Sequence, residues 1–406
     1  MHLTAIEKAW LAGADGPALR RAMEIIVALG QIYGAERLIP VVSVQISGVS
    51  YRNLGQAGLD FLQQWAAEGA QVRVPTTLNP AAMDLEAWRI QGFGPEFAAQ
   101  QHAVIAAFAQ MGVSAGRPHP TCTPYLIGNA PQPGEHLAWA ESSAVSYANS
   151  VRGARTNREG GPGAIAAALT GRTGDYGLHL EQNRRATLHV KVAAAPRTMS
   201  DYSALGAQVG AIAGQRIPYF TGLPLTRGEP FWQEKLKALG AALAATGAVA
   251  LYHVAGVTPE ARAGIMLAAE HETVTIAELA PGYAMFNDAG AEIDLLWSGC
   301  PHASLAEIAR VAELVRGRRL RVPLWVTCAR PVKEAATKQG FTASIEAAGG
   351  QLFADACLAI APVRALGFKA VGTVSAKGAF YLRNLTGVQV QLKRMEEWIK
   401  TVDGKR

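Results

Sequence analysis

Two textures of hydrophobic and polar positions alternate along the first third of the chain. "GPALRRAMEIIVALGQIYG" repeats its apolar residues with a helical period and stops at Gly34, which predicts a helix. "RLIPVVSVQIS" then reads as a buried strand, "GLDFLQQWAAEG" as a helix closed by Gly69, and "AQVRVPT" as a further strand. "PEFAAQQHAVIAAFAQMG" predicts another helix with a glycine stop. Strands separated by helices imply βαβ units and mainly parallel sheet.

The texture changes between Thr121 and about Arg185, where polar, glycine-rich sequence predicts long irregular loops that belong to a site. "ATLHVKVAAA" alternates like a strand, and about Thr198 to Val257 reads as a separate α/β lobe. In the last third, "EIDLLWSGC" predicts a strand and "PHASLAEIARVAELVRG" a helix opening with proline near its first turn. "VPLWVTCA" followed by "RPVKEAATKQG" repeats the pattern, and "GGQLFADAC" and "KAVGTVSAKG" add two strand-to-loop junctions. Right-handed crossovers would bring all four junctions to one edge of a parallel sheet, where ligands of open α/β sheets bind. The expected fold is therefore α/β and multi-domain, with mainly parallel sheets flanked by helices. The divisions expected are a first domain over 1–185, a smaller lobe over 186–285 and a last domain over 286–406.

Composition narrows the function. Half of the 406 residues are hydrophobic and 17% are charged, as in a well-buried globular protein. The charge is +6, and the basic residues are scattered or lie near glycine-rich loops. This pattern suits a small anionic ligand, and no nucleic acid is expected. No signal peptide is evident at the start, and "ALGAALAATGAVALYHVAGV" reads as a helix end running into a buried strand rather than a membrane span. Four cysteines without a secretory signal point to a reducing cytoplasm and leave packing, catalysis or metal binding as their roles.

A lone cysteine is ordinarily a small buried hydrophobe. No Cys-x-x-Cys pair exists, which excludes zinc ribbons, ferredoxin loops and thioredoxin motifs. The fold could still gather thiols. Cys122 heads the glycine-rich region in "HPTCTPY", and Cys300 and Cys357 come from two strand ends. Three converging thiolates would leave one iron of a cubane open to water or substrate, as a Lewis acid.

At these residues the chain resembles the catalytic large subunit of aconitase X, a branch of the aconitase superfamily. The resemblance runs over nearly the whole chain, through "GVSYRNLGQAGLDFL", "TTLNPAAMDLE", "TCTPYLIGN", "GEHLAWAESSAVSYANSVRGARTNREGGP", "YGLHLEQNR", "DYSALG", "GCPHASL" and "SAKGAFY". It implies an iron–sulfur cluster held by Cys122, Cys300 and Cys357, of 4Fe-4S, 3Fe-4S or 2Fe-2S type. Cys328 falls where the family pattern asks for no thiol. It also implies the two-subunit form, since no swivelling small domain precedes the end of the chain at Arg406. A separate small subunit would then complete the site and bring a catalytic serine.

The remaining site candidates follow from residue chemistry and from that likeness. "SVRGARTNREGGPG" spaces Arg152, Arg155 and Arg158 by three. If helical they share a face; if in a loop they can converge on one anion through paired guanidinium donors. The corresponding aconitase segment carries substrate-binding arginines, which selects Arg155 and Arg158, with Asn157 in support. Ser50, Tyr51 and Asn53 sit at a strand end, where they can touch substrate. Glu141 can orient water or a proton donor, His302 can meet a sulfide or substrate, and Lys377 can meet a substrate anion. Together these imply a hydro-lyase acting on a hydroxy acid. The family suggests two substrates: cis-3-hydroxy-L-proline, giving pyrroline-2-carboxylate, and phosphomevalonate. The alanine- and arginine-rich composition inclines the expectation to the first. A non-catalytic iron–sulfur RNA-binding regulator is the rival of another class.

Overall fold

The computed structural model describes residues 1–116, 118–264 and 267–404. Its strands form a three-stranded, a four-stranded and a five-stranded sheet, each wholly parallel, plus one small antiparallel pair. The mainly parallel α/β architecture expected from the sequence is present. The three-stranded sheet runs Thr76–Leu78, Ser43–Ile46, Leu137–Trp139, and the four-stranded one His253–Val254, Pro218–Thr221, Ala186–Val192, Leu267–Ile276. The five-stranded sheet is ordered Gly350–Ala354, Leu324–Cys328, Leu295–Ala303, Ala370–Thr373, Gln389–Leu392. Its middle strands are buried on both faces, which is why they read as unbroken apolar runs.

The structure departs from the sequence reading at several elements. "RLIPVVSVQIS" is two strands: Leu38–Pro40 pairs antiparallel with Arg172–Gly174, and Ser43–Ile46 enters the parallel sheet. The strand expected at "AQVRVPT" is displaced to Thr76–Leu78, because only there do the residues find ladder partners on Ser43–Ile46. The glycine-rich region is not mainly loop. It holds Leu137–Trp139, an edge strand of the three-stranded sheet, and the helices Ser142–Tyr147 and Gly161–Thr170. The last of these is buried from Gly163 onward, a core helix whose small residues admit close packing.

Pro301 does not open a helix. It follows a cis peptide bond within the extended Leu295–Ala303 segment. The helix begins at Leu305, where Ser304 accepts from the Glu307 N–H and the Glu307 carboxylate accepts in return from the Ser304 N–H. That reciprocal cap, rather than proline, sets the start. The interval between Ser298 and Leu305 is thereby free for site residues.

Candidate active site

Parallel strands deliver their carboxyl ends to a common edge, and that edge of the five-stranded sheet faces the corresponding edge of the three-stranded one across a cavity of about 300 Å³. Cys122, Cys300 and Cys357 all line it. Each arrives by a separate tether. Thr121, next to Cys122, donates its N–H to Leu78 at 2.8 Å, while its carbonyl accepts from the Gln45 side chain at 2.9 Å. Trp297 Nε1 donates to the Thr327 hydroxyl at 3.1 Å, which donates at 2.8 Å to the carbonyl of Gly299, the residue before Cys300. The Cys357 N–H donates to Ala81 at 2.9 Å, and the Ala81 N–H to Asp355 at 2.8 Å. Behind that loop, buried Arg330 binds both Asp84 and Asp355.

His302 joins the three tethers. Its ring meets the Thr121 hydroxyl through Nδ1 at 2.9 Å and the Ala356 carbonyl through Nε2 at 2.8 Å. Its N–H donates to Cys122 Sγ at 3.2 Å, and its carbonyl accepts from buried Lys237 at 3.0 Å, on the helix Trp232–Gly247. Burial lowers the ring's pKa to about 4, so the imidazole is neutral, donating from Nε2 and accepting at Nδ1. Both nitrogens being engaged, the ring positions the cysteine loops and has no proton free to exchange with a substrate.

A second constellation lies beside the thiols. Glu141 caps the helix Ser142–Tyr147, accepting from the Ala144 N–H at 2.7 Å and the Ser143 hydroxyl at 2.6 Å. Lys377, in the first turn of Ala376–Tyr381, pairs with Glu141 and donates to Ser143 at 2.9 Å. Burial works against both charges. The ammonium nevertheless holds the carboxyl below its usual range, and the carboxylate holds the lysine above its own. Burial also pushes the thiols up, Cys300 to about 12, although Lys377 pulls the other way. Thiols so placed lose their protons to a metal.

No three His, Cys, Asp or Glu side chains among the described residues could hold a single metal ion. A polynuclear cluster takes its thiolates at wider separations than one ion does, and three thiols around one cavity with a lysine among them fit such a group.

Of the other expected residues, Asn53 and Arg158 line the cavity. Arg158 is exposed and its guanidinium has no side-chain partner among the described residues. Four expected residues are placed outside the lining. Arg155 donates to the His179 carbonyl at 3.0 Å and pairs with Glu181, because extended backbone between 155 and 158 separates the two arginines. Asn157 ties down the neighbouring loop through Tyr176 and Leu178. Ser50 is the buried residue preceding the helix Tyr51–Ala67, and Tyr51 packs edge-on against Phe97. Cys328 lies in the apolar core beneath the sheet edge.

The sequence reading missed Asn79, whose Oδ1 is buried without a partner among the described residues, together with Ser47 and Tyr381. An Asn-Pro step directly after a strand was the available signal for Asn79. Tyr381 lies four residues beyond Lys377, one helical turn along the same face.

Comparison with known proteins gives one consistent result. The chain matches the family model of the aconitase X first domain over residues 1–182, the second domain over 186–282 and the third over 293–403. It is 47% identical over 99% of its length to the phosphomevalonate dehydratase large subunit of Methanothermobacter thermautotrophicus, covering 98% of that protein. It is 36% identical to the cis-3-hydroxy-L-proline dehydratase of Pseudomonas aeruginosa, covering all of this chain but 70% of that protein. The crystal structure of Thermococcus kodakaraensis aconitase X in its holo-form superposes with a TM-score of 0.91 at 45% identity, covering 99% of this chain and 100% of that one.

Proposed function

The chain belongs to the aconitase X family, and from that premise we propose that it is the large subunit of a phosphomevalonate dehydratase. The observation that carries the hydro-lyase reading is the meeting of Cys122, Cys300 and Cys357 with the Lys377–Glu141 pair and unpaired Arg158 in one cavity. The substrate reading replaces the one inclined to by composition. Four large subunits named for phosphomevalonate are 43–47% identical and a fifth is 36% identical, each across nearly its whole length. The two proteins named for cis-3-hydroxy-L-proline are 36–37% identical, and the chain covers only 66–70% of them. Composition follows the genome, whereas the substrate is selected by the cavity.

Water elimination removes a proton from one carbon and hydroxide from the next, so both carbons must be activated together. Bound at Cys122, Cys300 and Cys357, an iron–sulfur cluster supplies a Lewis acid for the hydroxyl that leaves. Arg158, without a side-chain partner among the described residues, receives an anionic group of the substrate at the cavity wall. Asn79 and Asn53 offer amide groups that orient it. Lys377 places a fixed positive charge beside the site, and Glu141 keeps it there. His302 holds the cysteine loops in register. The Glu141 oxygens are occupied by Lys377, Ser143 and Ala144. We therefore assign the proton-accepting group to the separate small subunit that the relatives' names imply.

The test is anaerobic co-expression with the small subunit and assay of both substrates. Loss of water from phosphomevalonate with cis-3-hydroxy-L-proline untouched is expected. Turnover of the proline alone would overturn the substrate assignment, and turnover of neither by iron-replete complex would overturn the hydro-lyase reading.

A further inference from the structure

A second cavity, of about 190 Å³, lies between the start of the helix Met199–Ala213 and the five-stranded sheet, and shares no lining residue with the thiol cavity. Met199, Phe231, Val311 and Val374 give it an apolar wall. Its polar residues are arranged unequally. Lys235 is paired with Glu229, Arg310 with Glu313 and Glu396, and Glu307 with Lys237, so those charges cancel locally. Arg197 alone among the lining cations has no side-chain partner among the described residues.

The hydroxyls of two buried serines point to a ligand independently of that charge. Ser200 is 3% exposed and Ser298 8%, both line the cavity, and neither hydroxyl has a partner among the described residues. Neither oxygen is itself sealed from solvent, so both open onto the cavity, where they can donate to an acceptor that is brought in. The first turn of the 15-residue helix adds to this, because the Met199 and Ser200 N–H groups also lack acceptors among the described residues. Cation, hydroxyls and helix start favour an anionic head, and the apolar lining residues favour a short aliphatic body.

We propose that this cavity is a second binding site, for a small ligand with one anionic head, carboxylate or phosphate monoester, on a short aliphatic chain. A small void lies between it and the first site. That void, of about 30 Å³ and large enough for about one water, shares Met199, Ser298, Glu307 and Val374 with this cavity and Gly299 and Cys300 with the other. Ser298, two residues before Cys300 on the same strand, belongs to this cavity's lining.

Calorimetric titration of the full chain tests the proposal, with hexanoate and butyl phosphate as complete probes, inorganic phosphate as head alone and hexanol as body alone. At least one complete probe is expected to saturate in the millimolar range, and each partial probe to bind at least about tenfold more weakly. Arg197→Gln combined with Ser200→Ala weakens binding by about tenfold, and Val311→Trp, which fills the cavity, removes it. Arg158→Gln, in the thiol cavity, leaves it unchanged. Failure of both complete probes to saturate overturns the proposal, as does affinity that follows Arg158 rather than Arg197. Binding is read without substrate or turnover, so the result stands apart from the assignment as a dehydratase.

Discussion

At the scale of single residues, the consequential interaction is the ion pair between Lys377 and Glu141, because both are buried and each justifies the other's charge. Lys377→Met leaves a buried carboxylate without its cation, which costs about 3–5 kcal/mol. Adding Glu141→Gln removes the orphaned charge and should restore most of that stability, while the dehydratase remains inactive because the cationic wall is gone. Urea denaturation midpoints beside turnover rates check both halves. A double variant as unstable as Lys377→Met would refute the account. Asp84 makes a prediction of a different kind. Burial pushes its carboxyl up, but N–H groups of Ala87, Ala354 and Glu86 and the Lys333 ammonium outweigh burial and hold it at about 2. A carboxyl depressed in the folded state stabilises fully above its unfolded value near 4, and that stability is lost as pH falls towards 2. The contribution is about 2 kcal/mol at neutral pH. Stability measured from pH 7 to pH 2.5 should fall below pH 4 in the wild type and fall less in Asp84→Asn.

At the scale of elements, the strand-to-loop junctions were legible in the sequence and the loops beyond them were not. Apolar runs closed by Gly or Cys located the strand ends that carry Cys300 and Cys357, because a strand buried on both faces must be apolar throughout. Arg155 and Arg158 look equivalent as text. Their roles separate because extended backbone sends one to His179 and the other to the cavity, and three-residue spacing cannot distinguish that from a helix. Lys237 and the tethering role of His302 were opaque for the opposite reason: the partners are 54 to 181 positions away, visible only once the chain is packed. Gly299 tests how tightly the Cys300 junction is built. It has φ of +98°, and a β-carbon there would lie 2.1 Å from the Thr327 carbonyl oxygen. Gly299→Ala must shift the Cys300 loop, so anaerobically purified protein should lose most of its iron and sulfide. Gly367→Ala, at φ of +94° with open space around it, bears only the backbone strain of about 1 kcal/mol and should keep them. Equal iron in both variants would show that the junction tolerates movement.

At the scale of the molecule, the cavity is a seam between lobes. The first lobe brings Cys122, Asn79, Glu141 and Arg158, the last brings Cys300, Cys357 and Lys377, and the second contributes Lys237 from behind. Such a seam is well held at its floor, where His302 ties Thr121, Cys122, Ala356 and Lys237 together. Its rim is different: Leu385 is 48% exposed and Arg158 also faces solvent. An elimination run in an open cavity leaves the reacting carbons in contact with bulk water, which weakens every electrostatic interaction at the site. Glu141, the carboxylate among the described lining residues, also has its oxygens occupied by Lys377, Ser143 and Ala144. Both deficits are met by a cover that carries a base, which is the part assigned to the small subunit. The large chain alone should therefore bind iron and sulfide and give the same visible absorption as in the complex, yet turn over no phosphomevalonate above background. Titrating in the small subunit should restore turnover in proportion to complex formed, with Leu385→Asp weakening assembly more than it alters the rate of assembled enzyme. Full turnover by the large chain alone would place the base on this chain and return Glu141 to the candidates for it.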